Sequence, residues 1–227
     1  MHKLERNGVD APDCLDDYDY RTQSWDDLGG ESKRVVRAAL VQMQGIPNVT
    51  TAEAAEYGVR CAYCEGPIFH HGHIEHFRRK NRQHYPELTF EWHNLFLACG
   101  ATEHCGHFKD RKDAPPYNPD QLIKPDENDP EEYFFFHSSG EVRVRGELSD
   151  QMKQRAVETI RVFGLDNQAL TAERARAVSR YRKMKEEEFI EIASWNEAER
   201  VEYLEGEIEC TRWDPYAATI RHYLQRV

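Results

Sequence analysis

No run of the 227-residue chain approaches about 18 consecutive apolar residues, and the opening MHKLERNGVD carries no apolar stretch of the secretory type. A spanning helix and export are therefore not expected, and the chain is read as cytoplasmic. Positive charge is the scarcer sign: 30 Lys plus Arg against 41 Asp plus Glu give a net charge of −11. That balance argues against a standalone DNA coat or a basic tail. Internal repeats are also lacking, and mean hydropathy is low at −0.83. Even so, 39 % hydrophobic and 11 % aromatic residues supply one large or two small cores, so wholesale disorder is excluded.

In a reducing compartment the six cysteines are not expected to form disulfides. Cys61, Cys64, Cys99 and Cys105 fall within a 45-residue window, while Cys14 and Cys210 stand apart as ordinary thiols. Cys61-x2-Cys64 has knuckle spacing, and Cys99-x5-Cys105 follows after 34 intervening residues. Two short loops that each pre-pair two thiolates suit a tetrahedral, structural Zn²⁺ whose sphere is filled by protein. Four unconnected thiols, or a redox pair at Cys61 and Cys64, are the competing readings; no thioredoxin-like βαβ pattern surrounds that pair.

Four segments are expected. Residues 1–58 form an N-terminal helical docking segment, with Val35, Val36, Ala39, Leu40 and Met43 at helical spacing and a capping box at Thr50-x-x-Glu53. Residues 59–125 hold four cysteines and most of the histidines. Residues 126–148 form a loop and a β-hairpin, Tyr133–His137 with Glu141–Arg145. Residues 149–227 form a helical subdomain: one helix with Met152, Val157, Ile160 and Phe163 on its apolar face and a stop at Gly164, a long one from Leu170 to Trp195, and a last one opened by Asp214-Pro215. Between Lys153 and Lys185 lie nine basic residues against three acids, and Glu186–Glu209 is strongly acidic. Solvated helix faces explain this charge division; the sharper alternative is that Arg174, Arg176, Arg180 and Arg182 face a phosphate backbone or an acidic partner.

Between the cysteine pairs stands His73-Ile74-Glu75-His76-Phe77-Arg78-Arg79-Lys80, followed by Trp92-His93-Asn94-Leu95-Phe96-Leu97-Ala98-Cys99 and Cys105-Gly106-His107-Phe108-Lys109-Asp110. This combination resembles the zinc-stapled HNH endonucleases, and within them the PtuB nuclease subunits of Septu anti-phage systems. The resemblance covers about Cys61 to Leu170. It implies an α+β, helix-rich fold around a ββα-metal module, and DNA cleavage beside a PtuA-like ABC-type ATPase. In retron-associated versions, a retron reverse transcriptase and its RNA–DNA product join the partners. It gives Asn94 a scaffolding role and places a second ligand for the catalytic metal on the helix after Cys105. Gly106 stands where many HNH enzymes carry Asn or His, so His107 is the first choice for that ligand and Asp110 the second.

The chemistry is also argued from residue types. Phosphodiester hydrolysis needs a base for water and a cation beside the scissile phosphate. His76 suits the base because imidazole is readily neutral near physiological pH, and Glu75 suits a hard cation, Mg²⁺ or Mn²⁺. Adjacent strand residues point to opposite faces, so a shared site calls for a strand end or a distortion. Arg78, Arg79, Lys80 and Arg82, with Lys109, are expected at phosphates. Of the remaining histidines, His104 is a substitute zinc ligand. Two rival classes share the cysteine frame: a non-catalytic zinc-binding adaptor for nucleic acid or protein, and a zinc hydrolase of small molecules with an open metal position.

Overall fold

A computed structural model of the chain describes residues 1–6, 8–47, 58–69 and 72–226. The expected capping box at Thr50 and Glu53, together with His70 and His71, lies outside the described residues. The fold is α+β, with seven α-helices and two small sheets among the described residues. None of these helices is long and apolar enough to cross a membrane.

Helix α1, Gly30–Gln44, buries Val36, Leu40 and Met43 as its periodicity requires, and ends at Gly45. Its last side chain has a second use. The buried Gln44 amide donates to the Arg60 and Leu97 carbonyls at 3.2 and 3.1 Å and accepts from the Leu97 N–H at 2.6 Å. On the outer edge of strand β2, Leu95–Ala98, Gln44 thereby supplies the partner of the Leu97 N–H, while the Leu97 and Leu95 carbonyls also accept from the Ala62 N–H and Arg6. On its other edge β2 pairs antiparallel with β1, His73–His76, in the register His73↔Ala98 to His76↔Leu95. The short helix α2, Cys105–Lys109, follows.

Strands β3, Phe134–Phe136, and β4, Val142–Val144, make the expected hairpin. Helix α3, Asp150–Phe163, opens on Ser149, whose hydroxyl accepts from the Met152 N–H, and stops at Gly164, which adopts φ +57°. Its core face is Ala156, Thr159, Val162 and Phe163. Val157, assigned to that face from sequence, is 57 % exposed.

The expected Leu170–Trp195 helix is instead two, α4 at Gln168–Met184 and α5 at Glu186–Ile192, broken at Lys185. Three glutamates at 186–188 favour a fresh helix N-terminus. Lys185 is held at the break by Glu188 at 2.9 Å and Glu207 at 3.2 Å. Helix α6, Glu197–Cys210, fully buries no residue. Helix α7 begins at Ala217 rather than beside Pro215, because Tyr216 takes a left-handed conformation at φ +62° and donates its N–H to the Glu65 carbonyl at 3.1 Å.

One hydrophobic core draws on all four expected segments, from Met1 and Leu4 through Leu40, Phe96 and Phe134 to Phe163 and Ala218. A smaller cluster of Tyr181, Ile220 and Leu224 ties α4 to α7.

Candidate functional site

Cys61, Cys64, Cys99 and Cys105 converge. All four are buried, and their sulfurs lie within 4.8 Å of one another. Cys61 Sγ stands 3.7 Å from Cys105 Sγ, and Cys64 Sγ 3.9 Å from Cys99 Sγ. A tetrahedral zinc with Zn–S bonds of about 2.3 Å requires sulfur–sulfur edges of about 3.8 Å, so the four thiolates fit Zn²⁺. The backbone is bent to achieve this: Cys105 adopts φ +61° at the start of α2. His104 is a neighbour, with Nδ1 at 3.2 Å from Cys105 Sγ and 3.7 Å from Cys99 Sγ, outside a sphere that the cysteines already fill. Tyr63, inside the knuckle, stacks on Phe163 at 4.2 Å and fastens the metal loop to α3.

Directly after Cys64 comes Glu65, which sequence reading passed over. It is buried, holds φ +63°, and gathers the Met1 amine at 3.5 Å, His2 at 3.3 Å, Arg60 at 3.6 Å and the Ala218 N–H at 3.3 Å. Burial alone would raise its pKa. The Met1 amine, then His2 and Arg60, outweigh that and hold the carboxyl well below the usual range.

Strand β1 is regular, and Glu75 and His76 point to opposite sides of it. Glu75 faces α2. Its Oε1 is 2.9 Å from Lys109 Nζ and its Oε2 is 3.1 Å from His73 Nε2. Burial pushes this carboxyl up, but Lys109 and then His73 bring it down to about 2. His76 ends the strand on the other side, where its Nε2–H donates to the Thr89 carbonyl at 2.9 Å and its ring meets the Trp25 ring edge-on at 4.6 Å. That bond fixes the tautomer and leaves the lone pair on Nδ1. Burial, then the Lys80 charge, lowers the His76 pKa to about 3, so the ring is neutral at physiological pH.

Asn94 clamps the loop between the strands. Its Oδ1 accepts from the Arg78 N–H at 2.7 Å, and its Nδ2 donates to the Arg78 and Leu88 carbonyls at 3.0 and 3.1 Å. All of its bonds are local to the loop that carries the chain away from His76.

The remaining expected residues divide by burial. Arg82 is exposed and Lys80 half-buried. Arg78 pairs with Asp120 at 2.5 Å, and Arg79 pairs with Asp110 at 2.9 Å while lying over the Tyr117 ring. Lys109, expected at a phosphate, is 1 % exposed and enclosed by carboxylates. Arg174 likewise corrects an expectation: it is 1 % exposed, donates to the Leu165 carbonyl at 2.7 Å and lies over the Phe136 ring, so it faces the core. His107 is exposed and stacked on His73 at 4.1 Å. Gly106 has a steric reason: a Cβ there would stand 2.4 Å from Glu75 Oε2. That glycine, between a cysteine and a histidine, is the sequence signal that a side chain crosses α2.

The neutral His76 makes stability pH-dependent. Unfolded chains take up a proton on this ring as pH falls below its ordinary 6.5, whereas the native ring resists until about 3. The unfolded state thus binds more protons, and stability falls as pH drops from about 6.5 toward 3. Thermal midpoints across pH 7 to 4.5 are expected to decline less steeply in His76→Gln than in wild type. The thiolates contribute equally to both proteins, so an identical decline would remove His76 as a source.

No protein-family model matches the chain, and no curated protein does.

Proposed function

We propose that this chain is an HNH-type endonuclease that hydrolyses DNA phosphodiester bonds, built on a structural Zn²⁺ held by Cys61, Cys64, Cys99 and Cys105. On this reading β1, β2 and α2 are the ββα module. The proposed setting is an anti-phage complex with a PtuA-like ABC-type ATPase. The single observation that carries the reading is the placement of His76 at the end of β1, its tautomer set by Thr89 and its following loop clamped by Asn94.

In this mechanism Nδ1 of His76 accepts a proton from water as the water oxygen bonds to phosphorus, and the bond from phosphorus to the leaving oxygen breaks, that oxygen keeping the bonding pair and taking a proton from solvent. Lys80 and Arg82, with the outer faces of Arg78 and Arg79, hold the flanking phosphates. The catalytic Mg²⁺ or Mn²⁺ that the resemblance implies does not fit the donors as they stand. Glu75 is committed to Lys109 and His73, Asp110 to Lys109 and Arg79, and His107 to a ring stack. No step is therefore assigned to it.

The test is plasmid cleavage by the zinc-loaded chain, with the ATPase and ATP supplied, in Mg²⁺ or Mn²⁺. His76→Ala is expected to lose about 10² to 10⁴ in rate; equal rates would overturn the base assignment. A second reading, the non-catalytic zinc adaptor, is favoured by the burial of His76 to 3 % exposure. It predicts DNA or protein binding that His76→Ala leaves intact, with no cleavage under any of these conditions.

A further inference from the structure

The side of β1 opposite His76 holds an arrangement that neither the zinc centre nor the proposed base uses. Lys109 Nζ lies 2.9 Å from Glu75 Oε1, 2.8 Å from Asp110 Oδ1 and 2.9 Å from the His76 carbonyl. Two of the ammonium's N–H donors go to Asp110 Oδ1 and the His76 carbonyl, and Glu75 Oε1 adds an ion pair at 2.9 Å. Lys109 is buried, at 1 % exposure. Glu75 reaches it only because residue 106 is glycine, since a Cβ there would overlap the carboxylate.

The possible metal donors around this corner do not converge. The His73 and His107 rings are parallel within 13°, so their nitrogens aim alongside one another and not at a common point. Asp110 Oδ1 is shared between Lys109 and Arg79. Among the described residues, the one group of three or more His, Cys, Asp or Glu side chains placed to hold a metal is the four-cysteine set.

We infer that Lys109 is the resident cation of this corner, a positioning residue that neutralises Glu75 and Asp110 and fixes the end of β1 through the His76 carbonyl. A divalent ion on the same oxygens would stand against a trapped ammonium, so the two exclude each other. Glu75 is accordingly a partner for Lys109 in the resting protein and not a metal ligand. The inference concerns occupancy of the corner and does not require the chain to cut DNA.

The experiment is Mn²⁺ titration of the full-length, zinc-loaded chain, read as paramagnetic broadening of imidazole NMR signals. This readout is independent of cleavage. In wild type, His73 and His107 are expected to broaden no more than the exposed His84. Selective broadening of His73 and His107 that Glu75→Gln abolishes would overturn the inference. Lys109→Met, which removes the ammonium but keeps the chain length, is expected to gain that broadening and to lose it again when Glu75→Gln is added. A folded, zinc-retaining Lys109→Met with no such gain would also overturn it. Should Lys109→Met fail to fold, the comparison of wild type with Glu75→Gln decides alone.

Discussion

With zinc held by the four-cysteine site, as proposed, stripping it is expected to unfold most of the protein. Structural zinc sites contribute about 10 to 16 kcal/mol at neutral pH, while whole domains are stable by only about 5 to 15 kcal/mol. Here the four sulfurs join the 61–64 knuckle to the far end of β2 and the start of α2, and the knuckle's Tyr63 stacks on α3. The loss therefore spreads beyond one loop. Without the metal, four buried thiols remain with each other, the His104 ring and the Gly66 N–H as partners. A strong chelator, or Cys99→Ser, is expected to abolish the cooperative thermal transition and to lower far-UV circular dichroism. Elemental analysis of the native protein should give one zinc per chain. Retention of the full transition in metal-free protein would show that the cysteines are incidental to the fold.

Glu65→Ala is expected to be the most damaging single change outside the cysteines. It leaves Arg60, 3 % exposed, without its carboxylate partner, and it strips the first turn of α7 of a cap at the Ala218 N–H. Removing one member of a buried ion pair costs about 3 to 5 kcal/mol. For a chain of this length that corresponds to a fall in Tm of roughly 10 °C. Glu65→Gln keeps the shape but not the charge, and should recover only part of the loss. The direction with pH follows from the depressed carboxyl: its stabilisation is complete above the unfolded carboxylate pKa and is lost as pH falls below it. A Tm within a degree or two of wild type for Glu65→Ala would mean that the ion pairs around it contribute nothing net.

Local periodicity made several elements legible in the sequence. The spacing of Val36, Leu40 and Met43 gives α1, the alternation around Val142 and Val144 gives β4, and Gly164 marks the end of α3. Cysteine spacing likewise pointed to the buried cluster. What failed depends on distant partners. Val157 and Ile160 look equivalent by spacing, but only the neighbours of α3 decide that Ala156 and Thr159 face inward while Val157 does not. The break at Lys185 depends on Glu207, and the late start of α7 depends on the Glu65 carbonyl. Lys109 and Arg174 read as surface cations because a sequence shows charge but not the carboxylates and carbonyls that enclose it. Within the candidate site, the residues in the His73–Asp110 strings are brought together, yet the division of Glu75 and His76 between two faces of β1 follows from a regular strand register.

The carboxylate of Glu65 also bears on how the chain comes to be folded. It bonds His2 at 3.3 Å and the Ala218 backbone at 3.3 Å, so a single side chain in the knuckle waits on residues from both far ends of the sequence. Contacts so distant along the chain are slow to form and carry a large loop-closure cost. During synthesis, a nascent chain can capture zinc once Cys105 has emerged, but its knuckle carries a buried charge that is incompletely paired until Ala218 follows. Between those two moments the core that Ala218 helps to complete is expected to be open, the stage at which aggregation or chaperone capture competes with completion.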